Sequence, residues 1–277
     1  WQLEASQIGL NRFAPELPQS HDIHSGHGRS LPTCDPQAMN QAIADAIAHC
    51  GERQSAFSQE ALLKFIFTEI GQFPVQELEQ AIATHPELIQ TVDHRYTTQT
   101  AVLRELQTIQ FMLAGRGSMS PLATAPVETL LEGVSLTAEQ REAVLRTTRS
   151  PDQFFAWMGV AGAGKSYALQ QLQQVILSVQ DSENYTLKAL APTGKAASEL
   201  GKTLGLEGQT LHSFLASRAI SATKNEIWIV DEAGLISAQL GWELMQKAMT
   251  HSARVILVGD PRQLSGVEAG SFFRSLL

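Results

Sequence analysis

The sequence predicts an α/β protein whose larger part is a parallel sheet covered by helices, preceded by a smaller, mainly helical module. Three observations carry this. Residues 135–277 alternate short apolar runs, at 154–158, 186–191, 226–230 and 254–258, with longer stretches at helical spacing, the pattern of strands linked by crossover helices. A glycine-rich turn separates the first of these runs from the helical stretch that follows it. Residues 35–118 instead show helix-capping residues and apolar side chains every three or four positions.

The chain has 277 residues, 43% hydrophobic and 17% charged, enough for two domains of about 150 residues each and too apolar for a charge-dominated disordered chain. Residues 1–130 carry 7 basic and 14 acidic side chains, and residues 131–277 carry 13 and 14. Neither half is the basic body that holds duplex DNA by its overall field. A local grip on one strand through hydroxyls, helix N-termini and a few lysines stays open. The two cysteines, Cys34 and Cys50, cannot build a disulfide framework or a four-thiolate zinc site. No run reaches the ~18 apolar residues of a membrane span, and no basic start precedes an apolar stretch. The expectation is a cytoplasmic protein without membrane insertion. A start at Trp1 fits a segment of a longer chain or a processed product.

Residues 1–34, with Pro15, Pro18, Pro32 and a polar histidine-containing run, read as a linker or loosely packed leading segment. His21, His24 and His27 recur at intervals of three, but no acid or thiolate shares their pattern, so a solvated loop is the simpler reading than a metal site. Asp35 and Pro36 then open a helix with Met39, Ile43 and Ile47 on one face. Ser58 caps a second, with Phe57 and Leu62 placed as a hydrophobic staple and Gly71 as its stop. Pro74 introduces a third through Leu78 and Ile82, 88–91 and 95–97 suit a short hairpin, and Thr98 begins a fourth helix through Leu103, Leu106, Ile109, Phe111 and Leu113. Three small helices and a hairpin have a winged-helix outline. The acidic balance favours a structural or strand-positioning role for residues 35–118 over duplex recognition. Residues 119–134, rich in Gly, Ser and Pro together with the residues just before them, read as a second linker, and 135–277 as the α/β domain.

Gly159-Val160-Ala161-Gly162-Ala163-Gly164-Lys165-Ser166 matches G-x-x-x-x-G-K-S and sits between a strand and a helix, the setting the motif requires. Its backbone N–H groups can curl around phosphates at a helix N-terminus, so nucleotide contacts are expected from Gly159 through Tyr167. Lys165 brings a positive charge to the β- and γ-phosphates of ATP, and Ser166 an oxygen to Mg2+. Ile227-Trp228-Ile229-Val230-Asp231-Glu232 is an apolar strand ending in two carboxylates. Asp231 is expected to coordinate the magnesium and Glu232 to orient and deprotonate the attacking water. The last strand runs into Gly259-Asp260-Pro261-Arg262-Gln263, where the Gln263 amide can sense the γ-phosphate and the water together. Phe214, Trp157 and Trp228 are expected in the core, and Cys50 buried rather than catalytic.

With these motifs, residues 136–276 resemble the first motor domain of the RecD-like branch of superfamily 1 DNA helicases, P-loop NTPases with a RecA-like core. The resemblance implies that Gln140, within Leu136-Thr137-Ala138-Glu139-Gln140, reads the adenine. It implies that Pro192, Thr193, Gly194 and Lys195 contact single-stranded DNA, and that His212, in Thr210-Leu211-His212-Ser213-Phe214, belongs to the next DNA-side motif. The phrase from Gly259 to Gly270, and the upstream segment from Arg53 to Glu105, are similar to MobF-type (TraI/TrwC-like) conjugative relaxase-helicases. That family implies an upstream relaxase domain and conjugation machinery as partners. No relaxase histidine cluster or tyrosine pair is visible here, so nicking is not implied for this chain. Leu277 follows the third motif closely, so the resemblance also implies a second motor domain outside this chain, needed for full activity. The alternatives are a nucleotide-responsive DNA-binding adaptor or inactive scaffold, and an ATPase acting on a non-nucleic substrate.

Overall fold

The computed structural model describes residues 35–123, 126–160, 162–179, 185–217, 225–260 and 272–275. The expected leading segment 1–34 lies outside them. Residues 36–277 group as one compact unit. Among the described residues no helix is long and apolar enough to cross a membrane.

The helical module begins with α1 (Pro36–Arg53) and α2 (Gln59–Phe65), the latter running into a wider π turn over Ile66–Ile70. Ser58 accepts the Ala61 N–H and fixes the start of α2, and Gly71 ends the π turn. Helix α3 (Val75–Ala83) starts after Pro74 and buries Leu78 and Ile82. Strands β1 (Leu88–Gln90) and β2 (Tyr96–Thr98) form an antiparallel hairpin. Phe57 adds a third rung by exchanging both backbone hydrogen bonds with Tyr96. Ile43, Ile47, Cys50, Phe57, Leu62, Ile66, Leu78, Ile82 and Tyr96 make one core of this module.

Thr98 caps α4 (Gln99–Gly115) by accepting the Ala101 N–H. Its packed face differs from the row of leucines that the spacing emphasises. Leu103, Leu106, Ile109 and Leu113 are exposed, whereas Thr108 and Gly115 are buried and Phe111 and Met112 pack against the core of the α/β part. Four described residues of the stretch 119–134 after α4 are buried. Leu122, Ala123 and, from a 3-10 turn, Val127 and Leu131 enter the same core as the sheet. The buried Arg254 guanidinium donates to Ser120 O and Ser150 O, both at 2.7 Å, and ties this segment to the sheet.

The α/β part continues with α5 (Ala138–Arg149), β3 (Phe154–Met158), α6 (Lys165–Ser178), β4 (Thr186–Ala191), α7 (Gly194–Leu204), β5 (Gly208–Thr210), α8 (Leu211–Ala216), β6 (Glu226–Val230), α9 (Ala238–His251), β7 (Arg254–Gly259) and the short α10 (Phe272–Ser275). The five strands are all parallel, in the order β3-β7-β6-β4-β5. The four apolar runs expected as strands are strands, and β5 is an addition. Alternate residues of β6 and β7 face opposite layers. Ile227, Ile229, Ile256 and Val258 meet α6 residues Leu169, Leu172 and Ile176, while Trp228, Val230, Val255 and Leu257 meet α8 and α9. A strand buried on both faces must be apolar throughout, which is why these runs are continuous rather than alternating. Trp228 satisfies its indole N–H on Glu226 at 2.7 Å, and Trp157 on Thr147 at 2.7 Å.

The short return from α7 to β5 brings backbone against backbone. A Cβ on Gly208 would lie 1.8 Å from Ala197 O, and one on Gly201 would lie 2.6 Å from Gly208 N. Gly208→Ala is therefore expected to destabilise by about 1–3 kcal/mol through overpacking, read as a lowered Tm. Gly194→Ala, whose Cβ would meet nothing within 4 Å, should stay within about 0.5 kcal/mol of the wild type.

Candidate functional site

Parallel strands end at one edge of the sheet, and ligands of such sheets bind in the crevice outside those carboxyl ends. Here β3 leads into Gly159, β7 into Asp260, β6 into Asp231 and Glu232, β4 into Pro192 and Thr193, and β5 into Leu211 and His212. With strands about 4.8 Å apart, the glycine-rich loop and the acidic pair stand two strand spacings from each other, and Glu232 and Thr193 one.

The loop after β3 reverses through Gly162 (φ 77°) and Gly164 (φ 69°), both left-handed, conformations that glycine adopts without strain. Ala161 lies outside the described residues. Helix α6 starts at Lys165 with Gly164 as its cap and no side-chain cap bond. By contrast α2, α4, α5, α7, α8 and α9 are capped by Ser58, Thr98, Thr137, Thr193, Thr210 and Ser237. An N-terminus without a capping side chain leaves N–H groups to bind an anion. Lys165 Nζ donates to Gly159 O at 2.7 Å and Val160 O at 3.0 Å, so its charge is already held over the loop. Val160 and Tyr167 are exposed beside it.

Gln140 reaches this loop from α5. Its Oε1 accepts the Thr137 N–H at 3.0 Å within a capping box, and its Nε2 donates to Ala163 O at 2.8 Å. A Cβ on Gly164 would fall 2.5 Å from that Nε2, so the glycine also makes room for the amide. The side chain expected to read adenine thus braces the phosphate loop, with both ends of its amide engaged inside the chain.

Asp231 and Glu232 leave β6 together. Burial pushes the Asp231 carboxyl above its ordinary value; the Glu232 N–H and the Lys165 charge oppose this, and the Glu199 charge adds to it. Its Oδ1 accepts the Glu232 N–H at 2.8 Å. Glu232 sits at φ 52°, ψ 37°, a left-handed conformation costing a non-glycine residue about 1–2 kcal/mol, and such strain concentrates at functional sites. Gly234 and Gly259 allow the following turn to close on β7: added Cβ atoms would lie 2.9 Å from Asp260 O and 2.9 Å from Gly234 N. Among the described residues no three His, Cys, Asp or Glu side chains converge on one point. The Ser166 hydroxyl and Asp231 carboxylate are hard oxygen donors that suit Mg2+, which completes its shell with phosphates and water.

On the neighbouring strand, Thr193 caps α7 by accepting the Ala196 N–H at 3.2 Å and donates to Glu232 Oε2 at 3.4 Å. Thr193, Gly194 and Lys195 are exposed, Pro192 is half-buried, and His212 is exposed on α8. Phe214 is buried under β6, edge-on to Trp228. Gln263 lies outside the described residues.

A family model described as an AAA domain matches residues 135–277. The chain belongs to the AAA domain family. This AAA-domain chain is also related, at the level of a superfamily, to RecD-like helicases. It is 29% identical over 150 residues to the RecBCD enzyme subunit RecD of Mycolicibacterium smegmatis, covering 43% of this chain and 26% of that protein. It is 32% identical over 119 residues to the ATP-dependent RecD2 DNA helicase of Deinococcus radiodurans, covering 40% and 16%. A longer match, 24% identical over 241 residues, covers 81% of this chain and 22% of the conjugal transfer protein TraA of Agrobacterium fabrum. The chain thus spans about a fifth of the length of that relative.

Two features of the AAA-domain site had no signal in the residue pattern. The Thr193–Glu232 contact depends on β4 and β6 being neighbours, and Glu199 acts on Asp231 only once α7 is folded back. The capping box Thr137-x-x-Gln140 and the contact of its Gln140 with a loop 23 residues away are both findings of the structure. Because Gln140 braces the loop, Gln140→Ala should weaken ATP and GTP binding by similar factors of about tenfold, measured by calorimetry. A loss confined to ATP would instead make the amide an adenine reader.

Proposed function

We propose that this chain is the first motor domain, with its upstream helical module, of an ATP-dependent helicase or translocase that binds Mg-ATP and single-stranded DNA. The observation that carries the reading is the single sheet edge that brings the glycine-rich loop, the Asp231–Glu232 pair and the Thr193 turn side by side. The RecD-like relatives support a nucleic-acid motor. The likeness to conjugal transfer proteins supports a role in conjugation; that the whole protein is a MobF-type relaxase-helicase, with a relaxase domain, conjugation machinery and a second motor domain as partners, is the finer part of the same proposal.

In this reading the α6 N-terminus and Lys165 hold the triphosphate, and Ser166 and Asp231 hold the magnesium, which neutralises phosphate charge. Glu232 accepts a proton from water as its oxygen bonds to the γ-phosphorus and the bond to the β-phosphate oxygen breaks. Gln263 senses the γ-phosphate. Lys195 and the Thr193 hydroxyl contact DNA phosphates, with Pro192 and Gly194 shaping the turn and His212 extending the contact along the strand. Domain boundaries at 35, 118 and 134 follow the same reading. Within the stretch read as a linker, Leu122, Val127 and Leu131 pack into the core of the α/β part.

Two substitutions separate binding from chemistry. Lys165→Ala should lower Mg-ATP affinity at least about tenfold with an unchanged Tm, because the side chain touches the loop and not the core. In a protein that includes the second motor domain, Glu232→Gln should keep Mg-ATP binding and reduce DNA-stimulated turnover by about 10²–10⁴-fold, read by single-turnover hydrolysis. Unchanged nucleotide affinity in the first variant would reject the site, and near-normal turnover in the second would reject Glu232 as the base.

A further inference from the structure

A cavity of about 390 Å³ lies at the amino-terminal edge of the sheet, where β6 and β7 begin, away from the glycine-rich loop. Its wall includes Glu226, Ser252 and Arg254, together with Ala114 at the end of α4 and Ser120 in the stretch that follows it. Arg254 is 1% exposed. Its Nη1 donates to Ser150 O and its Nη2 to Ser120 O, both at 2.7 Å, while its Nε has no partner. Among the described residues this is the one buried side-chain nitrogen or oxygen without a hydrogen bond.

A guanidinium carries five N–H donors in a planar fork, and the two carbonyls take two of them. The unused Nε–H belongs to its side-on edge, whose shape matches two oxygens of one carboxylate or phosphate. Bulk water does not reach this nitrogen, and a buried charge without an anionic partner is costly. Neighbouring carboxylates do not supply that partner. Glu226 is committed to Lys188, at 3.0 Å from Oε1, and to the Trp228 indole N–H, at 2.7 Å from Oε2. Asp152 Oδ1 accepts the Gly117 N–H at 2.8 Å. Among the described residues neither forms an ion pair with Arg254. Burial accordingly pushes the Arg254 pKa down, opposed by the charges of Tyr185 and Asp152. An unsatisfied buried group of this kind calls for a specific occupant, water or ion. One water needs ~10–15 Å³ of such space, so the cavity has room for an organic body as well.

We propose that this cavity binds a small organic oxyanion, a carboxylate or a phosphate monoester, on the side-on edge of Arg254. The Ser120 and Ser252 hydroxyls in the same wall serve the remaining polar atoms of the ligand. The site is separate from the nucleotide edge and does not depend on the function proposed above.

Amide hydrogen exchange on the 277-residue chain tests this, with sodium succinate, glycerol 3-phosphate or sodium chloride at matched ionic strength. At ten times its Kd a bound organic anion should slow exchange about tenfold at 118–122, 150–153 and 252–255, and chloride should leave those rates unchanged. Protection by succinate alone assigns a carboxylate, by glycerol 3-phosphate alone a phosphate ester, and by both the shared oxyanion. Arg254→Gln removes the charge and the fork, and should abolish the protection in a chain that thermal melts show to be folded. Ala114→Trp fills the cavity from an exposed position and leaves Arg254 in place, so the same loss is expected where the first variant does not fold. No protection by either organic anion at about 100 mM, a hundred times a millimolar Kd, would leave water as the occupant and overturn the site. Equal protection by chloride, protection confined to 159–168, or protection that survives either folded variant would overturn it too.

Discussion

The structure depends on one constraint, the parallel pairing of β6 between β7 and β4. Parallel strands need crossover helices on both faces, so β6 is apolar from Ile227 to Val230, and its one buried charge, Glu226 at the first position, is paired with Lys188 at 3.0 Å. The chain can become polar again only past the last rung. That is where Asp231 and Glu232 stand, with the Gly259 end of β7 on one side and the threonine-capped helix α7 on the other. Core formation and site assembly are therefore one event. Nothing in the loops has to find the others, because the register of three strands has already brought them together.

Within that edge, capping chemistry sorts the helix ends by purpose. Six helices begin with a Ser or Thr that satisfies one of their own N–H groups. Helix α6 begins with a left-handed glycine and Lys165 folded over the loop. The first arrangement completes a fold; the second leaves donors and a cation for an anionic ligand. Asp231 is the counterpart. Burial, only partly offset by the Glu232 N–H and the Lys165 charge, raises its affinity for a proton, and a bound divalent cation reverses that balance. Under the proposed function, these positive and negative groups would serve the phosphates and the metal respectively.

Much of this was legible in the residues, for physical reasons. The runs at 227–230 and 255–258 were readable because strands buried on both faces permit no polar interruption, and those at 154–158 and 186–191 because apolar residues dominate them. The caps Ser58 and Thr98 were readable because capping is local. Strand β5 was not: three residues, Gly208–Thr210, carry no periodicity, and its glycine is there for contact with Ala197. The packed face of α4 was misleading, since its leucines point outward while Phe111 and Met112 meet the sheet domain. Residues 119–134 read as a connector because Gly, Ser and Pro crowd there; the burial of Leu122, Ala123, Val127 and Leu131 among them carries no periodicity and was not legible. In the site, the residue types at the strand ends were visible from the motifs. The left-handed Glu232, the Gln140 brace and the Thr193 contact were not, because each arises from elements far apart in the chain.

The central claim is that the carboxyl edge of the sheet is one phosphate-handling surface. Amide hydrogen exchange with and without Mg2+ and a non-hydrolysable ATP analogue tests it directly. Protection should rise at 159–168 and at 230–233, where the loop, the α6 N-terminus and the acidic turn meet. The opposite edge, around 150–153 and 252–254, should keep its rates. Unchanged exchange at 159–168 at saturating analogue, or protection centred on the helical module, would contradict the account.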